Sequence, residues 1–171
     1  NEDLYIKENE FINELILLEP KSFQTWEQKR FCIENIKEIN QEEENQIFNQ
    51  IIIIDFKNYH FWSYKTWLTQ RTNSFPNELL YIDNMLESQI DNNSVWSYRK
   101  FLVKHLKICK ELEEDIIYPL LSSNLKIESI WNYIDDIYES NNEFSLKLNS
   151  FCEDLMNSKV VNRFILSFWL L

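Results

Sequence analysis

The chain has no glycine and no alanine. Repeats of the tetratricopeptide type place those two residues where helices cross closely, so that class is disfavoured. Histidine occurs only at positions 60 and 105, and cysteine only at 32, 109 and 152, an odd number without C-x-x-C spacing. Neither a disulfide framework nor a zinc site follows from such a set. Basic residues are also scarce, 17 against 28 acidic ones, for a net charge of -11. A nucleic-acid partner requires a basic stripe to neutralise phosphates, and none is present. There is no run of eighteen apolar residues, the Ile51 to Ile54 cluster being four long, and the N-terminus lacks a basic region followed by an apolar one. The expectation is a soluble, non-secreted, cytoplasmic protein with no transmembrane segment.

What the chain does have is tryptophan at a fixed period. Trp26, Trp62, Trp96 and Trp131 fall 36, 34 and 35 residues apart, within the segments KSFQTWEQKRF, KNYHFWSYKTW, DNNSVWSYRKF and KIESIWNYIDD. Such a period marks an array of one repeated unit. Fifteen and fourteen residues before each tryptophan stand Phe11-Ile12, Ile47-Phe48, Tyr81-Ile82 and Ile116-Ile117. Eleven and ten before stand Leu15-Ile16, Ile51-Ile52, Met85-Leu86 and Leu120-Leu121. The spacing i, i+1, i+4, i+5 is one stripe of an amphipathic helix. Six residues after each tryptophan, Cys32, Leu68, Leu102 and Ile137 begin a second stripe.

Each unit therefore reads as helix, turn, helix. Ser22, Asn58, and Asn92 with Ser94 precede the second helices as N-caps, each worth about 1 kcal/mol. One pair cannot cover its own apolar face, so neighbouring pairs must stack. The expected fold is all-α, a right-handed α-α superhelix or solenoid of antiparallel hairpins. The repeats span about 1–40, 41–75, 76–110 and 111–140, with a helical cap over 141–171 in which the apolar end around Trp169 closes the array or meets another chain. Lys29, Lys65 and Arg99, three residues after their tryptophans, recur too regularly to form one site. Bridging adjacent units, or facing a partner, suits them better. His105 reads as a surface histidine. The acidic clusters Glu42-Glu-Glu44 and Glu111 with Glu113-Glu-Asp115 read as solvated helix starts that favour the dipole.

The turns carry a more particular pattern. Pro20-Lys-Ser-Phe-Gln-Thr-Trp26, Asp55-Phe-Lys-Asn-Tyr-His-Phe-Trp62, Asn92-Asn-Ser-Val-Trp96 and Glu128-Ser-Ile-Trp-Asn-Tyr133 follow one another, each preceded by its helix. In this order they resemble the repeats of protein prenyltransferase α subunits, over roughly residues 1–140. Members of that family carry further repeats upstream, so the resemblance implies either a fragment or a reduced version. Phe23, where the family commonly has tyrosine, and Asp91, where relatives often have a basic residue, depart from the pattern.

The resemblance implies a heterodimer with a β subunit that holds zinc, magnesium accompanying the diphosphate, and no cofactor on this chain. The reaction implied is transfer of a prenyl group from its diphosphate to the cysteine of a C-terminal CaaX sequence, by a farnesyltransferase α subunit or one shared with type I geranylgeranyltransferase. Lys21 matches the lysine that reaches the diphosphate, a catalytic and substrate-binding role. Gln24 matches the glutamine that binds the substrate's C-terminal carboxylate. Asn58, Tyr59 and His60 match the Asn-Tyr-His that lines the same site. The Rab-specific α subunit and a catalytically silent repeat adaptor are the alternatives. The Glu128-Ser-Ile-Trp-Asn-Tyr133 repeat favours the farnesyl and type I group.

Overall fold

A computed structural model describes residues 2–138 and 146–158. The expectations for Trp169 and for most of the cap fall outside these residues. All regular structure among them is helical: α1 (Glu2–Leu18), α2 (Phe23–Glu34), α3 (Gln41–Asp55), α4 (Tyr59–Thr72), α5 (Phe75–Leu86), α6 (Asn93–Leu106), α7 (Lys110–Ser123), α8 (Glu128–Tyr138) and α9 (Leu146–Asn157). The chain divides into two compact units, Asn1–Ser74 with α1 to α4 and Phe75–Leu171 with α5 to α9.

The first unit is two stacked hairpins, in which α1 lies on α2, α3 on α1, and α4 on α2. The second repeats the scheme, with α6 against α5 and α8, and α7 against α8. The caps fall where the polar turn residues stand. Ser22, Asn58 and Asn92 accept hydrogen bonds from the amides of Thr25, Phe61 and Ser94, and Asn40 does the same for α3 through Glu43. With no glycine to take the left-handed position after a helix, Asn73 and Lys107 adopt it, each at φ 55°. Both close their helices through backbone N–H bonds to the last turn.

Of the first-helix stripe, the row fourteen before each tryptophan carries the core together with the row ten before, except in α3, where Ile51 is buried and Ile52 half-buried. Ile12, Phe48, Ile82 and Ile117 are buried, as are Ile16, Leu86 and Leu121. The flanking row divides: Ile47 is buried, whereas Phe11 and Ile116 are exposed at the edge of the stripe. Second helices meet through aromatic pairs in the same register, Trp26 on Tyr64 at 5.4 Å and Trp96 on Tyr133 at 4.8 Å between ring centroids.

Packing is only half of what the tryptophans do. Each indole Nε1–H donates to the carbonyl six residues upstream: Trp26 to Pro20 at 2.8 Å, Trp62 to Phe56 at 2.9 Å, Trp96 to Ile90 at 2.7 Å and Trp131 to Leu125 at 3.0 Å. The indole thereby closes the turn of its own hairpin, satisfying a carbonyl the helices cannot reach. Two of these carbonyls take a second donor from the following hairpin, Asn58 Nδ2 on Pro20 at 2.9 Å and Ser129 Oγ on Ile90 at 2.7 Å. Trp131 is fully buried. Trp131→Ala should therefore cost about 3–5 kcal/mol in urea unfolding. Trp131→Phe, which keeps a ring but removes the indole donor to the Leu125 carbonyl, should cost about 1–3 kcal/mol. A Trp131→Phe variant as stable as the unaltered chain would assign the tryptophan to packing alone.

Two of the recurrent basic residues, Lys29 and Arg99, bridge adjacent hairpins within their unit, as one of the two readings had it. Lys29 is wholly buried and spends its three N–H bonds on Asn9 Oδ1 at 3.1 Å, Asn13 Oδ1 at 2.6 Å and Glu44 Oε1 at 2.7 Å. The second Glu44 oxygen accepts from Tyr64 Oη at 3.0 Å. In the other unit Arg99, equally buried, forks onto Glu113 at 3.1 and 2.8 Å and pairs with Asp83, while Tyr133 Oη donates to Glu113 at 2.6 Å. Glu44 and Glu113 are each 1% exposed and Glu114 is buried, which corrects the reading of these members of the acidic clusters as solvated, whereas Glu42, Glu111 and Asp115 are exposed as expected. Glu44 and Glu113 both lie eighteen residues before a tryptophan, and Glu8 and Glu78 share that register. Burial, and then the neighbouring carboxylate, push the Tyr64 and Tyr133 phenols well up, so both stay protonated as donors.

Candidate functional site

The turn before α2 and the turn before α4 meet because α2 packs on α4 and Asn58 reaches back to Pro20. Asn58 is 2% exposed and has both ends of its amide engaged, the oxygen capping α4 and the nitrogen on the Pro20 carbonyl. Its place is that of a residue that sets the geometry between two turns.

The other four candidates are exposed or half-buried, and they separate. Tyr59 and His60 line a cleft of about 210 Å³ together with Phe23, Trp26, Glu27, Arg30, Ser63 and Tyr64. The His60 ring stands between the Phe23 ring at 6.1 Å and the Tyr59 ring at 5.6 Å, which fixes its tilt. Tyr59 is 77% exposed and Phe23 is exposed beside it, an unusual outlay of aromatic surface. Lys21 lies instead in a more open hollow lined by Leu18, Glu19, Pro20, Ile54 and Asp55, with its Nζ 3.4 Å from Asp55 Oδ2. Gln24 is exposed on the first turn of α2 and lines neither. The separation follows from the caps. Lys21 precedes the Ser22 cap and stands outside the helix, whereas His60 lies inside the first turn of α4.

Two charged residues belong to this region that the motifs did not single out. Arg30 brings a cation into the His60 cleft, where it approaches the Ser63 carbonyl and hydroxyl at 3.4 Å, pairs with Glu27 at 3.5 Å and lies over the Trp67 ring. Asp55 is the anion beside Lys21. Arg30 carried a faint signal, four residues after Trp26 and so on the same helix face; Asp55 opens the Asn-Tyr-His motif without being singled out in it. His105, by contrast, is exposed with its ring stacked on Phe75 at 3.5 Å, in the second unit. Among the described residues no group of three His, Cys, Asp or Glu side chains converges to hold a metal ion. Cys32, buried in the first unit, has its thiol pushed up to about 11 by burial and by Glu8, so it stays protonated at neutral pH.

Two stacked hairpins, with closing tryptophans, buried cations between repeats and cation-bearing turns, define the chain as a helical-repeat protein with its polar chemistry at one set of turns. Residues 75–106, the α5–α6 hairpin, match the protein prenyltransferase alpha subunit repeat. In solved structures the chain is similar to a chain of Candida albicans protein geranylgeranyltransferase-I complexed with GGPP, with 25% identity and a TM-score of 0.76. The likeness covers 88% of this chain and 54% of that one, so the chain spans about half the length of its relative. No curated protein matches the chain. In its α5–α6 repeat and in its fold, the chain is similar to protein prenyltransferase alpha subunits.

Proposed function

We propose that the chain is the α subunit of a heterodimeric protein prenyltransferase, a farnesyltransferase α subunit or one shared with type I geranylgeranyltransferase. The observation that carries the reading is the pair of adjoining turns in the first unit. One presents Lys21 and the other Tyr59 and His60, and Asn58 ties the two together through the Pro20 carbonyl. The likeness to a chain of a geranylgeranyltransferase-I complexed with GGPP supports an isoprenyl diphosphate as ligand. A β subunit would complete the site, and the absence of a transmembrane-capable helix among the described residues agrees with a cytoplasmic enzyme.

In this reading the chain supplies donors and no metal ligands. A zinc ion held by the partner would supply a thiolate at neutral pH, and magnesium would accompany the diphosphate. Lys21 meets the charge that grows on the departing diphosphate. His60 and Tyr59 offer an N–H and an O–H from the next turn, and Arg30 raises the positive potential of their cleft. Gln24, a neutral amide on the exposed start of α2, binds the C-terminal carboxylate of a CaaX substrate.

The test is coexpression with candidate β chains, followed by prenyl transfer to peptides ending in C-a-a-X, with zinc and magnesium and with farnesyl or geranylgeranyl diphosphate supplied separately. Copurification of a β chain and zinc-dependent thioether formation are expected. In that enzyme Gln24→Ala should raise the peptide KM and leave the diphosphate KM unchanged. A chain that copurifies with other proteins and supports no transfer is an adaptor.

A further inference from the structure

We propose that Asp55 is a positioning residue for this reaction, holding the Lys21 ammonium at the place where it meets the diphosphate. The inference rests on the α-subunit reading above. The Lys21 side chain is 78% exposed, and an unrestrained lysine spreads over many rotamers that a catalytic contact must first collapse. Here both ends of the residue are tied to the second hairpin. The backbone at its start is held through the Pro20 carbonyl, which accepts from Trp26 Nε1 at 2.8 Å and from the buried Asn58 Nδ2 at 2.9 Å. The ammonium is held 3.4 Å from Asp55 Oδ2, while Asp55 Oδ1 accepts from the Lys57 amide at 3.3 Å and so fixes the carboxylate.

Beyond the turn bond it accepts from the Lys57 amide, Asp55 is poorly placed for its own helix. It is the last residue of α3, where a carboxylate opposes the dipole. A local rule broken beside a candidate site points to a role in that site. The pair is exposed on the lysine side and therefore adds little to stability. What it does is geometric. An ammonium has three donors, so Lys21 keeps one on Asp55 while another turns to a phosphate oxygen. Among the described residues, Glu19 is the one other charged group lining the hollow, and it makes no ion pair with the ammonium.

In the assembled enzyme Asp55→Asn is expected to lower kcat about 10-fold through misplacement of the ammonium, leaving the peptide KM and the thermal midpoint of the full chain unchanged. Asp55→Glu, which restores the anion, should recover most of the rate. In a Lys21→Ala background the Asp55→Asn change should add no further loss. A silent Asp55→Asn beside a damaging Lys21→Ala overturns the positioning role and leaves the α-subunit reading standing. Equal losses from Asp55→Asn in both backgrounds overturn it as well. A silent Lys21→Ala removes the functional reading and this inference with it.

Discussion

Arg99→Met is expected to destabilise the chain by about 3–5 kcal/mol, the cost of leaving a buried charge without its partner. The guanidinium is wholly buried, forks onto both oxygens of Glu113 and also pairs with Asp83. Burial alone disfavours its charge, yet the Glu113 hydrogen bond, with Tyr133 and Asp83 behind it, raises its pKa overall. With Arg99 gone, Glu113 keeps only the Tyr133 hydroxyl among these groups, and its desolvation is no longer offset. Replacing the buried pair together should behave differently. Arg99→Met with Glu113→Leu removes both charges, and apolar replacement of a buried pair is often close to neutral, so the double variant should recover most of the loss. Urea unfolding measures all three. Arg99→Lys should fall between them, because an ammonium cannot reproduce the fork. A single-variant cost below about 1 kcal/mol, the scale of an exposed pair, would refute the buried bridge.

Lys21→Ala is expected to slow prenyl transfer about 10²-fold in the assembled enzyme, the size of one lost transition-state donor. Because the side chain is exposed and its ion pair adds little to the fold, stability should hardly change. The loss should appear in kcat more than in the diphosphate KM, since charge grows on the leaving group only as the bond breaks. Lys21→Arg should retain part of the rate through its charge. A variant that lost rate together with its thermal midpoint would instead assign Lys21 to the fold.

The helical hairpins were legible because the period of the tryptophans and the 3.6-residue stripes are both local, and local patterns survive without knowledge of neighbours. The partnerships between hairpins were harder. Glu44 lies near the start of α3, where a carboxylate favours the dipole and looks solvated. Its burial depends on Lys29, fifteen residues upstream on another helix. The recurrence of Glu8, Glu44, Glu78 and Glu113 eighteen residues before each tryptophan was the signal available for it. The indole N–H bond escaped for a similar reason, since an apolar ring predicts burial without naming an acceptor. At the candidate site, adjacency of the turns followed from the period. The division between the Lys21 hollow and the His60 cleft did not, because it depends on which side of the N-cap each residue falls.

The central claim is that function lies in the first two turns, whereas the tryptophan framework is common to all. Lys21 and Asp91 hold the same register, each five residues before its tryptophan, and both are exposed. The decisive measurement is therefore the kcat for prenyl transfer of Lys21→Ala against Asp91→Ala, in the same assembled enzyme. A loss of about 10²-fold for Lys21→Ala with Asp91→Ala close to the unaltered chain is the predicted result. Equal rates for the two variants would contradict it.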